Sequence, residues 1–270
     1  MPLVLCGMPL GNPGDITPRV LDNLRCAEVI AAEDTRSAAL FLQTHGLKKK
    51  LLSFYDHNER ERVPQILELL RAGKTVAVMS EAGMPLISDP GYHLVKAAQE
   101  ANVPVTVVPG PTALTAALAL SGLPTDRFIF EGFLPAKAAA RQEALRDLRG
   151  AARTLIFYEA PHRIQETLRD MAAILPGRLC FVARELTKKY QEYFRGTAQA
   201  IAAQLEKPKG EFVIVLAGRP GAAPEDAEVS RAQELCAALK KARLSDKQSA
   251  EIVAKVFQLS RNQAKKIIYS

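Results

Sequence analysis

Five short apolar runs in the first 120 residues, "LVLCG", "EVIAAE", "KLLSFY", "TVAVMS" and "VTVVPG", each lead into a stretch whose apolar side chains recur every three to four positions. A strand that is apolar along its length is buried on both faces, and a helix with one apolar stripe is the element that covers it. The alternation therefore predicts an α/β unit over residues 1–120 with a largely parallel sheet. Thr17 before Pro18 marks one helix start, Pro111 is placed to open "PTALTAALALSG" in the same way, and Gly122 with Pro124 ends that helix.

A second set of runs follows, "RFIFEGFL", "TLIFYEA", "LCFVARE", "QEYFRGT" and "EFVIVLAG", separated by helical spacing near 138–149, 162–175 and 197–205. It predicts a second α/β unit over 121–220. The stretch "RPGAAPEDAE" at 219–228 reads as a linker. Over 228–270, Ser245 with Gln248 and Ser260 with Gln263 fit capping boxes. Ala250, Val253, Ala254 and Phe257 form a stripe that Ala264, Ile267 and Ile268 could face, a helix-turn-helix shape. Such a hairpin either packs on protein or presents Arg261, Lys265 and Lys266 to nucleic acid.

Charge and cysteine content narrow the function classes. The net charge is +7, and from residue 225 on nine Lys/Arg stand against six Asp/Glu, so the tail is denser in positive charge than the body. This is compatible with an anionic partner. Cys6, Cys26, Cys180 and Cys236 lie apart among apolar neighbours, which speaks against zinc and against a disulfide framework, and all four read as buried thiols. His45, His93 and His162 have no companions at metal-ligand spacing, so no metal site is expected. No apolar run approaches the roughly 20 residues of a membrane helix, and the expectation is a cytoplasmic protein with no membrane association.

Three loops are candidates for chemistry. "GMPLGNPGDIT" follows the first strand with Gly7, Gly11 and Gly14, but the dinucleotide pattern needs G-x-G-x-x-G, and two prolines remove backbone donors that a pyrophosphate requires. "SEAGMPLISDPG" at 80–91 packs two glycines and two prolines between a strand and a helix, which suggests close backbone approach to a ligand. In "AAEDTR" and "FYDHNER", Glu33, Asp34, Arg36 and His57 lie at the carboxyl ends of strands, the edge where open α/β sheets bind ligands. These residues could orient or deprotonate a hydroxyl; a capped helix start with an internal ion pair explains the same residues equally simply.

Taken in order, "GMPLGNPGDIT", "AAEDTR", "HNER", "SEAGMPLISDPG", "VVPGPTALTAAL" and "FEGFLP" resemble the tetrapyrrole-methylase superfamily and, within it, the 16S rRNA (cytidine-2′-O)-methyltransferase branch. The likeness covers residues 2–218 and continues into the tail. "VPGPTA" is similar to every member, whereas "EDTR", "HNE", "LISDPG" and the tail point to the rRNA branch. Met8 and Met84 stand where that branch usually has threonine, and Glu81 where it has aspartate.

The resemblance implies two α/β domains with S-adenosylmethionine in the cleft between them, and no metal. By aligned position the cofactor would touch Pro9, Ala82, Gly83, Met84, Ile87, Thr112, Ala113, Glu159, Leu186 and Phe212. It also implies transfer of the methyl to the 2′-hydroxyl of a cytidine in the decoding region of 16S rRNA, with naked rRNA or the small ribosomal subunit as partner and a homodimer as the assembly. Arg141, Arg146, Arg149 and the tail would then hold RNA phosphates. A weak acid such as that hydroxyl calls for a base or a stabilising cation, and Asp34, Glu33, Arg36 and His57 are the catalytic candidates. The alternative is a methyltransferase with a tetrapyrrole or other small acceptor, for which a basic tail would be superfluous; a DNA-binding protein using the tail alone leaves both α/β units without a purpose.

Overall fold

The computed structural model describes residues 2–205, 208–219, 224–242 and 244–257. The first unit runs β1 (Leu3–Cys6), α1 (Pro18–Cys26), β2 (Val29–Ala32), α2 (Thr35–Thr44), β3 (Lys50–Ser53), α3 (Glu59–Arg71), β4 (Val76–Met79), α4 (Tyr92–Glu100) and β5 (Val105–Val108). Its five strands are all parallel in the order β3-β2-β4-β1-β5. Alternate side chains of the central strands feed two cores. Val4, Cys6, Ile30 and Ala77 pack with Val20 and Leu24 of α1 and Leu42 of α2, while Leu3, Val29, Val76 and Val78 pack with Ile66 and Leu70 of α3 and Leu94 of α4. That two-sided burial is why the strands carry no polar alternation.

The second unit follows as α5 (Ala113–Ser121), β6 (Phe128–Phe133), α6 (Ala138–Asp147), β7 (Thr154–Glu159), α7 (Ile164–Ile174), β8 (Leu179–Arg184), β9 (Glu192–Thr197), α8 (Ala198–Gln204) and β10 (Phe212–Leu216). Its sheet has the order β6-β7-β10-β8-β9; only β6 and β7 are parallel, and the other neighbours are antiparallel. Leu145, Ile164, Leu168, Met171 and Ile201 cover one face. The other face is covered by α5, whose Leu114, Ala117 and Leu118 pack on Ile156, Phe181, Val213 and Val215. A helix expected to complete the first unit therefore belongs by its packing to the second sheet, and the change of unit falls between β5 and α5.

Thr17 caps α1 as expected, accepting from Val20 N–H at 3.2 Å. Pro111 does not open α5; Thr112 is its N-cap residue, and Gly122 ends it in the left-handed conformation. The linker expected at 219–228 is overtaken by a helix, α9 (Pro224–Lys241), on which α10 (Asp246–Val256) packs. Ser245 and Gln248 form the expected capping box at the start of α10. The stripe Ala250 and Val253 meets Ala232 and Cys236 of α9. The helix expected from Ser260, with Arg261, Lys265 and Lys266, lies outside the described residues.

Two side-chain expectations are corrected. Cys26, the last residue of α1, is exposed; the other three cysteines are buried, and burial pushes the Cys6 thiol up to about 12. Arg141 is not available to RNA, because its guanidinium is 2% exposed and is held by Asp170 at 2.6 Å and Glu166 at 3.3 Å. Arg146 is exposed but paired with Glu143 at 2.6 Å, and Arg149 is exposed.

Candidate functional site

Four loops at the carboxyl ends of first-unit strands converge on the second sheet: 7–17 after β1, 33–34 after β2, 80–91 after β4 and 109–112 after β5. They interlock through backbone. Met8 N–H donates to the Gly83 carbonyl at 2.7 Å and Gly83 N–H returns a bond to the Met8 carbonyl at 3.0 Å, a two-residue antiparallel bridge. Gly7 and Gly110 touch main chain to main chain: a Cβ on Gly7 would lie 2.5 Å from Gly110 N, so neither position has room for a side chain. Met84, one of the departures from the rRNA branch, accepts a hydrogen bond on Sδ from Gly110 N–H at 3.2 Å.

The 80–91 loop is backbone-strained. Leu86 (φ 72°) and Ser88 (φ 66°) are left-handed without being glycine, as are Gly83 (φ 77°) and Gly91 (φ 134°). The loop ends in Ser88, Asp89 and Pro90, yet α4 begins at Tyr92 behind Gly91, which has no side chain to cap it. The cap comes from elsewhere in the chain. Glu59, buried at the start of α3, accepts Gly91 N–H at 3.0 Å and His93 N–H at 2.9 Å on the same Oε1. Asn58 fixes the preceding turn, accepting from Tyr55 N–H at 2.8 Å and donating to the Ser53 carbonyl at 3.1 Å. The "HNER" segment thus works mainly through Asn58 and Glu59, which fasten the strained loop.

A cavity of 350 Å³ lies at the junction of the two units. Ala82, Gly83, Met84 and Ile87 line it from the 80–91 loop, Thr112 and Ala113 from the start of α5, and Glu159, Leu186 and Phe212 from the second unit. Pro9 lines a second cavity of 360 Å³ instead. The two share Leu10, Glu33, Glu81, Ala82 and Glu211, so they adjoin. The Glu159 carboxylate is committed to structure: it is buried, accepts from Thr167 Oγ1 at 2.5 Å and Ala160 N–H at 2.8 Å, and pairs with Arg163. Tyr158 was not among the expected residues. It lines the first cavity, and its hydroxyl accepts from Leu114 N–H at 3.2 Å, satisfying a free donor at the start of α5 from the sheet that α5 covers.

Carboxylates dominate the site's electrostatics. Burial, with Glu33, Asp56 and Glu81 nearby, pushes Asp89 up to about 7. Burial and the charges of Glu81, Asp56 and Asp34 raise Glu33 above the ordinary range. Lys188 from the second unit enters the second cavity; burial opposes its charge, but hydrogen bonds to Glu211 (2.8 Å) and Glu185 (2.9 Å) outweigh it and hold the ammonium above the usual lysine range. Its stem lies against Gly11, where a Cβ would come within 2.6 Å of it.

The catalytic candidates separate by position. Glu33 lines both cavities. Asp34 lines the second and serves as the N-cap of α2, accepting from Arg36 N–H at 2.7 Å; that bond, ahead of the other contacts, holds it below the usual carboxylate range. The Arg36 side chain is 92% exposed and reaches Asp34 at 3.6 Å. His57 is exposed, outside the lining of either cavity, with its ring edge-on to Tyr55.

An α/β pair with a cavity at its junction, built from loops at strand carboxyl ends, is the architecture of a two-domain methylase. Uroporphyrin-III C-methyltransferase from Thermus thermophilus complexed with S-adenosyl homocysteine has the same fold (TM-score 0.56, 21% identity, 80% of this chain and 97% of that one), as has a diphthine synthase (TM-score 0.61, 14% identity, 80% and 90%). Residues 2–202 match the Tetrapyrrole (Corrin/Porphyrin) Methylases, and the chain belongs to that family. It is 47% identical over 219 residues to Ribosomal RNA small subunit methyltransferase I of Thermotoga maritima, covering 80% of this chain and 98% of that protein. It is 40% identical over 265 residues to the protein of the same name from Escherichia coli O157:H7, covering 96% and 92%.

Proposed function

We propose that the protein transfers a methyl group from S-adenosylmethionine to the 2′-hydroxyl of a cytidine in small-subunit rRNA. The observation that carries the chemistry is a pair of adjoining cavities that share Glu33; the likeness of nearly the whole chain to relatives named for small-subunit rRNA supports the acceptor. The cofactor is tested against the donor set. Among the described residues lining the first cavity none is basic, Glu33, Glu81 and Asp89 are acidic, and Met84, Ile87, Leu186, Phe212 and Val213 are apolar. Such a wall repels phosphates and suits a cationic sulfonium with an apolar body. Ala82, Gly83, Met84, Ile87, Thr112, Ala113, Leu186 and Phe212 would hold it beside Glu159, while Pro9 faces the adjoining cavity.

When bound, S-adenosylmethionine supplies an electrophilic methyl group. The chain's own part is to orient the acceptor hydroxyl, exclude water and take its proton. Glu33 is the base in this reading, since it faces both cavities and its raised affinity for a proton suits it to that task. Asp34 positions the turn that presents Glu33, and Arg36 stands where it can meet RNA phosphate. Action in the cytoplasm on the ribosomal subunit belongs to the same reading, as does a homodimer. Exposed Val107 on edge strand β5 and Leu120 on α5 support the dimer. Among the described residues no helix is long and apolar enough to cross a membrane.

The test is to incubate the protein with methyl-labelled S-adenosylmethionine and small subunits from a strain lacking this modification, then map the label. Label on a cytidine ribose is the expected result. Label on a base, or incorporation only into a tetrapyrrole, would overturn the assignment. Light scattering on the same preparation reads the dimer directly.

A further inference from the structure

Resting on the methyl transfer proposed above, we infer that the second cavity is an acceptor pocket that receives one pyrimidine nucleotide extruded from the RNA, its ribose at the Glu33 junction and its base against Phe41. Three observations carry this. The cavity, at 360 Å³, is of a size that admits a nucleoside, and it opens beside the first cavity through shared residues, so a ligand in each would be in contact. Phe41, partly buried on α2, lines it with its ring 4.5 Å from that of His45, an aromatic wall on which a base can stack. The polar groups are those a cytosine edge needs: the Asp34 carboxylate can accept from an exocyclic amine, and Lys188, two of whose donors are taken by Glu185 and Glu211, can donate to a ring carbonyl.

Extrusion follows from the placement. The hydroxyl must reach Glu33 where the two units meet, and a stacked nucleotide cannot bring its ribose there without leaving its neighbours. Ser37 lines the same cavity from the first turn of α2, and its side chain makes none of the hydrogen bonds that fix that turn, which run through backbone N–H groups to Asp34.

The test uses the full-length protein with two variants, Ser37→Phe to fill the cavity and Phe41→Leu to remove the stacking face while keeping apolar packing. Transfer to unmodified small subunits is measured beside S-adenosylhomocysteine binding by calorimetry. The inference expects kcat/KM for the subunits to fall about tenfold or more in each variant, with S-adenosylhomocysteine affinity within about twofold of wild type. Wild-type transfer with unchanged kcat/KM in both variants overturns the acceptor pocket alone. Loss of S-adenosylhomocysteine binding in both would assign the cavity to the cofactor and also overturn it. No transfer to rRNA by the wild type overturns the proposed function and the pocket with it.

Discussion

At the scale of single residues, the acidic cluster makes two separable predictions. Glu33 is the one candidate at the junction of both cavities, so Glu33→Gln should lower kcat by about 10²-fold or more, the usual contribution of a general base. S-adenosylhomocysteine affinity should stay within a few-fold. His57→Ala, whose side chain is exposed and off both cavities, should retain most activity; a larger loss there than in Glu33→Gln would reverse the assignment. Asp89 gives a stability prediction. Its ordinary value is 3.8 and the folded state raises it to about 7, so between those values the folded chain holds a proton that the unfolded chain has released. Stability contributed by this group is present at low pH, declines as pH rises through that window and is flat above it. Asp89→Asn keeps the uncharged form at every pH. Its Tm relative to wild type should therefore climb from pH 4 to pH 8, by about 1–2 kcal/mol of relative stability once partial exposure is allowed for. A pH-independent difference in thermal melts would rule this out.

At the scale of elements, α4 shows what sequence patterns can and cannot disclose. The apolar runs identified all ten strands described in the two sheets: central strands such as β2, β4 and β10 are buried along their length and write that into contiguous residues, and the more exposed β3, β5, β6 and β9 still carry an apolar stretch. Local caps such as Thr17 and Ser245 were legible for the same reason: both partners lie within one turn. Glu59 is different. Its bonds to Gly91 and His93 span more than thirty positions, and nothing near Glu59 marks it as the cap of another helix. Tyr158 was missed for the same cause, its partner Leu114 lying more than forty positions away in the chain. The assignment of α5 to the second sheet was also hidden, since a helix apolar on most sides does not say which sheet it covers. Glu59→Ala leaves two backbone donors without their partner and should cost about 1–3 kcal/mol in urea unfolding. It should also raise KM for S-adenosylmethionine more than it lowers kcat, because the strained loop that lines the cavity loses its anchor. Unchanged KM with lowered stability would confine Glu59 to the fold.

At the scale of the whole molecule, charge is distributed against the chemistry: the cavities are acidic, while the chain as a whole carries +7 and its tail is basic. An acidic pocket favours a cationic cofactor, but it cannot by itself attract a polyanion, so attraction of RNA must come from surfaces away from the reacting atoms. Arg141 is excluded from that task by its buried ion pairs. In the α9–α10 pair, Lys241, Lys247 and Lys255 are exposed, on a unit whose small core of Ala232, Cys236, Ala250 and Val253 is its own. The triple variant Lys241→Ala, Lys247→Ala, Lys255→Ala therefore tests the tail without disturbing either cavity. Each lost phosphate contact should reduce the slope of log affinity against log salt by about 0.7–0.9, so a tail that holds RNA through all three gives a slope shallower by about 2–3. S-adenosylhomocysteine binding should not move. A full salt slope in the triple variant would shift the attraction to the α/β units and leave the α9–α10 pair as a protein-packing element.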